Sequence, residues 1–280
     1  MRDFPIPVVA AGAGSQVEDA VLDYLPLPNE MQTFAMPVCN LEADPEVLAA
    51  TCTVLGGLRD SMSAGKEAKI ELTGLPPDVV ELINQSLGQG EVSVLVREPG
   101  NLHIQETVFA GVWRVQALSA QGVLLSDVLH ACAIPPQVQQ SAQAGTGVIN
   151  SPQLNDGVMN APAVLNELRE RSLKHKTGDA AHVINLSLLP MTVDDLGYLH
   201  EAFGTGGVSI LSRGYGNCRI TSTRLAHVWW VQYFNSMDQI ILNTLEVVDV
   251  PQVALAAAED FEDSTERLGE WLAVMCEQDA

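Results

Sequence analysis

The sequence of 280 residues has few basic side chains. Its 14 Lys and Arg stand against 35 Asp and Glu, which gives a formal net charge of −21. Charged residues make up only 18% of the chain, so the imbalance reflects missing cations more than abundant acids. Such a balance argues against nonspecific binding to nucleic acid or to an anionic membrane, and it leaves room for a basic partner.

Cysteine is also scarce. The five cysteines are an odd number, and none of them forms a Cys-x-x-Cys pair; they are Cys39, Cys52, Cys132, Cys218 and Cys276. This pattern predicts neither a disulfide framework nor a structural zinc site, and it favours a reducing compartment.

Long apolar runs are missing. No stretch approaches the roughly 18 apolar residues that a membrane-spanning helix needs. The N-terminal sequence has prolines and an acid in front of a short run rich in Gly and Ala, which does not resemble a signal peptide. Because 47% of the residues are apolar, a packed core is feasible. We therefore expect a soluble, cytoplasmic protein.

The most informative feature that is present is an internal repeat. Residues Leu87–Gln116 and Phe203–Gln232 align without a gap at an offset of 116, with 15 identities in 30 positions. The shared residues include a Gly-Asn pair, Gly100-Asn101 and Gly216-Asn217. Only two copies are found, which predicts a duplicated domain rather than a solenoid.

Each copy reads as α-β-α-β-β-β, in which the Gly-Asn turn starts one long strand that runs through the tryptophans. The fold class is therefore α+β with mainly antiparallel sheets and a pseudo-twofold arrangement of the two units. The predicted division is an extended arm over 1–43, a first unit over 44–140, a linker over 141–160, and a second unit over 161–280. The second unit ends in an acidic helix, since residues 246–280 hold ten acids and one Arg.

Helix starts can be predicted from capping residues. Asp44, followed by Pro45, is a plausible N-cap for the first helix of the first unit. Asn160 is the nearest candidate for the same role in the second unit. Thr192 and Asp195 have the spacing of a capping box for a later helix.

Catalytic motifs are absent from the sequence. There is no phosphate loop, no Gly-x-Ser-x-Gly elbow and no His-Glu-x-x-His motif. The six histidines are scattered and have no metal-site spacing, so ordinary core or surface roles are expected for them. The sequence predicts no catalytic residue, no cofactor-binding residue and no metal ligand.

The two copies differ most at one turn. Around Asn217, the second copy has Tyr215, Cys218 and Arg219 where the first has Pro, Leu and His. A neighbouring Arg lowers the pKa of a thiol, which makes Cys218 a candidate nucleophile or soft-metal ligand. The alternative is that Cys218 is a small apolar residue that replaces Leu102 in a strand.

The tryptophans of the second copy also differ from the first. Trp229 matches Trp113 and is interpreted as structural, whereas Trp230 stands where the first copy has Arg114. Together with Arg219 and Arg224, Trp230 is a candidate for a partner-binding surface. The turn residues Tyr215, Asn217 and Cys218 are candidates for the same surface. The alternative is that Trp230 packs beneath the C-terminal helix.

Several of these motifs resemble a known family. The segments Gly214–Ile220, Val228–Met237 and Ile241–Val247 are similar to those of the HupH/HyaF-type hydrogenase expression/formation proteins. Two N-terminal segments, Gly12–Gln16 and Tyr24–Met31, match that family as well, although the family more often has Pro at the position of Ala13. The resemblance covers nearly the whole chain.

The resemblance implies a non-enzymatic, chaperone-like accessory protein for maturation of a membrane-bound [NiFe] hydrogenase. The implied partners are the precursor of the iron–sulfur small subunit, which carries a basic twin-arginine signal, and other maturation factors. Opposite charge speeds such an encounter, so the acidic residues of the C-terminal helix are candidate contacts: Glu259, Asp260, Glu262 and Asp263. The alternatives are a thiol-dependent iron–sulfur or redox protein that uses Cys218, and a scaffold for other factors.

Overall fold

The computed structural model describes residues 35–38, 43–145, 150, 152–214 and 216–276. Most of the predicted arm, both N-terminal family segments, part of the predicted linker and Tyr215 lie outside the described residues. Within the described part the helices are α1 (Pro45–Ser63), α2 (Pro77–Leu87), α3 (Pro136–Gln143), α4 (Ala161–Lys174), α5 (Val193–Phe203) and α6 (Ala258–Cys276). Two short 3₁₀ helices cover Leu186–Leu188 and Gln252–Ala254.

The described strands form one antiparallel sheet. The strands of the first unit are β1 (Ala68–Glu71), β2 (Val92–Val96), β3 (Asn101–Glu106), β4 (Val112–Leu118) and β5 (Leu124–Ala131). Those of the second are β6 (His182–Asn185), β7 (Val208–Ser212), β8 (Asn217–Ser222), β9 (Val228–Phe234) and β10 (Ile240–Val247). The order across the sheet is β1-β5-β4-β3-β2-β7-β8-β9-β10-β6, so each unit contributes one half.

The two units are related by a pseudo-twofold axis between β2 and β7. Val94 lies opposite Ile210, its own counterpart at the offset of 116. The hydrogen bond from the Arg97 N–H to the Gly207 carbonyl (2.8 Å) is mirrored by one from the Arg213 N–H to the Glu91 carbonyl (3.1 Å). The predicted fold class is therefore confirmed: α+β, antiparallel and internally duplicated.

The long strand predicted in each unit is divided in two. In the second unit Thr223 ends the first segment, and its hydroxyl accepts a hydrogen bond from the Leu225 N–H at 3.2 Å. Thr107 forms the same turn with the Phe109 N–H in the first unit. Each unit is thus α-β-α-β-β-β-β. Because of this turn, the residues beyond it lie on the opposite face of the sheet from the one that an uninterrupted strand would give them.

The helices cover the sheet on both faces. Alternate residues such as Val94, Trp113 and Trp229 form a core with α3 on one face. On the other face α1 and α2 cover the first half of the sheet, and α4 and α5 cover the second half. No helix in the described ranges is both long and apolar enough to span a membrane.

The acidic helix α6, which was predicted to extend the second unit, packs on the first. Leu268, Leu272 and Met275 share a core with residues of α1 and α2. The Ser86 hydroxyl of α2 lies 3.5 Å from the Met275 sulfur. Helix α6 therefore crosses from the end of one unit to the helices of the other.

A disulfide joins α1 to α6, although the cysteine pattern predicted no disulfide framework and favoured a reducing compartment. Cys52 of α1 is bonded to Cys276 of α6, with the two Cα atoms 6.1 Å apart. The two residues are separated by 224 positions, so no local spacing could indicate the pair. Cys132 and Cys218 are free and buried.

Candidate functional site

A cavity that gathers three of the predicted site residues lies where the two units meet. Its volume is about 700 Å³, and its walls include β-strand residues Cys218 and Tyr233 and the start of α6. Four carboxylates and one guanidinium lie along it: Glu91, Glu106, Asp260, Asp263 and Arg267. We refer to it as the acidic cavity.

The acidic cavity contains more negative charge than its single arginine neutralises. Burial raises the pKa of Glu106 to about 7, against a hydrogen bond from the Gly111 N–H, and the nearby charges of Glu91 and Asp260 add to the rise. Arg267 lies 3.6 Å from Asp263 and stands over the Phe109 ring. A cationic group that entered the cavity would therefore meet uncompensated carboxylates.

Cys218 lies in the acidic cavity but is not an activated thiol. Its side chain belongs to the core and is 2% exposed. Burial raises the pKa of Cys218 to about 12, although a hydrogen bond with Tyr233 acts in the opposite direction. The thiol is therefore protonated at neutral pH. The predicted activation by Arg219 is wrong, because Arg219 points to the opposite face and stacks on the Phe234 ring, 4.2 Å from its centroid.

Trp230 is a core residue, so its assignment to a partner surface is not retained. The indole is 3% exposed and packs with α4 and α5 rather than beneath the C-terminal helix. Its Nε1 donates to Asn243 Oδ1 at 2.6 Å. In the first unit the same two positions hold Arg114 and Asp127, joined by an ion pair. The second unit has thus replaced an ion pair by a neutral hydrogen-bonded pair.

Trp229 has the structural role that its match with Trp113 predicts. Trp113 Nε1 donates to the Cys132 carbonyl at 3.0 Å, and Trp229 Nε1 donates to the equivalent Val248 carbonyl at 3.1 Å. Both indoles are fully buried. Each tryptophan therefore fixes the chain that leaves the last strand of its own unit.

The remaining predicted residues are dispersed. Asn217 begins β8 and is half-buried, whereas Arg224 is exposed beside Gly204. The four acidic candidates on α6 are all exposed, but only Asp260 and Asp263 line the acidic cavity, and Glu259 and Glu262 do not. The structure thus brings Cys218, Asp260 and Asp263 together and separates them from the rest.

The sequence does not indicate a second group of polar residues that the fold brings together. His175, His227 and Asp249 each point one donor atom into the same small space, with all three atoms within 4.8 Å of one another. The residues lie in three separate segments, so no spacing indicates them. Burial, with His175 next to it, lowers the pKa of His227, against the attraction of Asp249.

Fold and site together define an internally duplicated α+β protein with an acidic cavity at the junction of its units. Comparison with known proteins agrees with this description. The family model described as "HupH hydrogenase expression protein, C-terminal conserved region" matches residues 48–145 and 158–275. The chain belongs to this family of hydrogenase expression/formation proteins.

Curated relatives match almost from end to end. The hydrogenase expression/formation protein HoxQ of Cupriavidus necator is 42% identical over 281 residues, covering 97% of this chain and 98% of its own. The protein HupH of Rhodobacter capsulatus is 42% identical over 280 residues, with the same shares of the two chains. The hydrogenase-1 operon protein HyaF of Escherichia coli is 34% identical over 280 residues, which cover 94% of this chain and 95% of that one.

Proposed function

We propose that this protein is a non-enzymatic accessory protein of [NiFe] hydrogenase maturation that acts in the cytoplasm. Its client is the precursor of the iron–sulfur small subunit, which it binds before export. The family to which the chain belongs, with relatives named as hydrogenase expression/formation proteins, supports the general role. The acidic cavity is the observation that supports this kind of client.

The client chemistry follows from charge. A precursor with a twin-arginine signal presents guanidinium groups, and carboxylates bind these through charge-assisted, often bidentate, hydrogen bonds. Against one arginine, the acidic cavity offers three carboxylates and the partly protonated Glu106, whose pKa is about 7. The net charge of −21 adds a long-range attraction that speeds the encounter. The carboxylates inside the cavity would then select the basic segment. The negative charge of the whole surface would speed its approach.

Helix α6 itself supplies a matched test of the cavity. The double variant Asp260→Asn with Asp263→Asn neutralises two carboxylates that line the cavity, whereas Glu259→Gln with Glu262→Gln neutralises two that do not. Each double variant changes the net charge of α6 by two units. We expect the cavity pair to weaken precursor binding by at least about tenfold and to reduce its salt dependence, as charge-pair truncations do.

The measurement is the dissociation constant of the purified precursor at low and high salt. The control pair is expected to change it by less than about threefold, because neither Glu259 nor Glu262 lines the cavity. Equal losses from both pairs would mean that general charge attracts the precursor and that the cavity is not the docking site. Unchanged binding by both would exclude an electrostatic role for α6.

The rival function, thiol-dependent handling of an iron–sulfur cluster or of sulfur, receives less support. A thiol with its pKa raised to about 12 is a poor nucleophile and a poor metal ligand at neutral pH. The test is hydrogenase maturation in cells that carry Cys218→Ser, and we expect it to proceed normally. A scaffold role without precursor contact predicts that affinity capture recovers maturation factors but no precursor.

A further inference from the structure

The cluster of His175, His227 and Asp249 lies outside the acidic cavity and takes no part in the proposed function. His175 is the residue that caps the C-terminus of α4, His227 lies in the turn between β8 and β9, and Asp249 follows β10. His175 Nε2 is 3.1 Å from Asp249 Oδ1, and His227 Nδ1 is 3.6 Å from the same oxygen. The histidine ring centroids are 4.5 Å apart.

These distances suit a metal ion. In a tetrahedral zinc site with ligand bonds of about 2.0–2.1 Å, neighbouring donor atoms lie roughly 3.3 Å apart. Two imidazoles and one carboxylate form a donor set that Zn²⁺ and related divalent ions accept, and three protein ligands leave a fourth position open. The outer carboxylate oxygen is also fixed, because the Gly178 N–H donates to Asp249 Oδ2 at 2.8 Å.

His227 is placed here against its own conformational preference. Its φ is +63°, a left-handed conformation that is strained for a non-glycine residue. Its Nδ1 atom is buried and has no hydrogen-bond partner. A strained residue with an unsatisfied buried donor atom aimed at a histidine and a carboxylate indicates a ligand that is held there.

The duplication shows that two of the three residues are specific to the second unit. At the offset of 116 the first unit has Gly111 and Ala133 in place of His227 and Asp249. Gly111 also has positive φ, and the ring of Phe261 from α6 occupies the space beside it. The same corner of the fold is thus filled by an apolar ring in one unit and by three donor groups in the other.

We propose that His175, His227 and Asp249 form a binding site for a single divalent transition-metal ion of the Zn²⁺ type, with one coordination position open to an external ligand. Ions can enter from solvent, because the His227 and Asp249 side chains are 18% and 20% exposed. The site is independent of the function proposed above and can be tested on the full-length protein alone.

The first unit suggests the test variants. His227→Gly and Asp249→Ala replace two metal-binding side chains by the residue types that the first unit has at the same positions. Glycine adopts φ of +63° without strain, so His227→Gly should leave the metal-free protein at least as heat-stable as the wild type. The control is His182→Ala, whose histidine pairs with Glu167 at 2.8 Å but has no second histidine beside it.

The experiment titrates chelator-treated protein with Zn²⁺ in a calorimeter and with Co²⁺ in a visible spectrometer. We expect one equivalent to bind, with the absorption of four-coordinate Co²⁺ and no thiolate charge-transfer band. His227→Gly and Asp249→Ala should weaken binding by at least about 100-fold, since even loss of an outer-shell partner costs 10–100-fold. The control should bind as the wild type does.

Zn²⁺ should also raise the melting temperature of the wild type and the control but not that of His227→Gly, because a ligand stabilises only the state that binds it. Absence of stoichiometric binding to the wild type would overturn the proposal. Wild-type affinity in both donor variants, or a thiolate band with Co²⁺, would also overturn it by placing the ion elsewhere.

Discussion

At the scale of single residues, Asp195 links the start of α5 to the start of the preceding helix, α4. Its side chain is fully buried, and its Oδ1 accepts hydrogen bonds from the N–H groups of Met159, Asn160 and Ala161 at 2.8–2.9 Å. Its Oδ2 accepts from the Thr192 N–H at 3.1 Å in the predicted capping box. One carboxylate therefore binds the N–H groups at the start of α4 and the N–H of the residue that caps α5.

Replacing Asp195 should cost far more than removing an ordinary cap. Asp195→Ala leaves four backbone N–H groups without their acceptor, and we expect a loss of about 3 kcal/mol in the free energy of unfolding. Asp44→Ala is the control, because Asp44 caps α1 through one hydrogen bond at an exposed site and should cost about 1 kcal/mol. Urea denaturation at pH 7 measures both. Equal costs would mean that Asp195 acts only as a local cap.

The effect of Asp195 should depend on pH. Burial raises its pKa, but the backbone hydrogen bonds outweigh burial and bring the pKa below the ordinary 3.8. A carboxyl group whose folded pKa is depressed stabilises the fold above its unfolded pKa, and this contribution is lost as the pH falls through the folded pKa. The difference between wild type and Asp195→Ala should therefore be full at pH 6 and shrink below about pH 4.

The sequence predicted part of this arrangement. The spacing of Thr192 and Asp195 indicates the capping box, and Asp44 and Pro45 indicate the start of α1, as the structure has them. Asn160, which was predicted to cap α4, makes no side-chain cap, because Asp195 supplies the acceptor from 35 residues further along. Capping within one helix can be predicted from local spacing, whereas capping across the fold cannot.

At the scale of elements, α6 covers the helices of the first unit. Its Leu268 has no exposed surface and lies in the core with α1 and α2, whereas Val274 on the same helix is 55% exposed. A run of helix-forming residues predicted the helix, but such a run does not indicate which unit the helix packs against. The unit against which α6 packs is determined by contacts between residues more than 180 positions apart, such as the contact of Ser86 with Met275.

Truncation of Leu268 should destabilise the first unit although the residue follows the second. We expect Leu268→Ala to lower the free energy of unfolding by about 2–5 kcal/mol through lost burial and the cavity left behind. Val274→Ala is the matched control and should change it by less than about 0.5 kcal/mol, as surface substitutions do. Hydrogen exchange should show faster opening of α1 and α2 in Leu268→Ala. Opening confined to α4 and α5 would contradict the packing of α6 on the first unit.

At the scale of the whole molecule, the repeat made most of the architecture predictable. The offset of 116 indicates two copies, and their antiparallel pairing through β2 and β7 places Val94 opposite its own counterpart, Ile210. What the repeat cannot predict is where the copies have diverged in function. The acidic cavity and the His175–His227–Asp249 cluster both join distant segments, and residue spacing carries no information about such contacts.

A continuous sheet across the axis also predicts that the two units unfold together. The five residue pairs between β2 and β7 join the halves, and Ile210 at their centre is 1% exposed. We expect Ile210→Ala to cost about 2–5 kcal/mol, and the loss should appear in both halves because each relies on the same strand pairing. Calorimetry should show one transition at a lower temperature, and hydrogen exchange should rise in β3 and β8 alike. Two separate transitions, with exchange raised only in β8, would instead mean that the duplicated units are stable individually and that the central pairing contributes little beyond alignment.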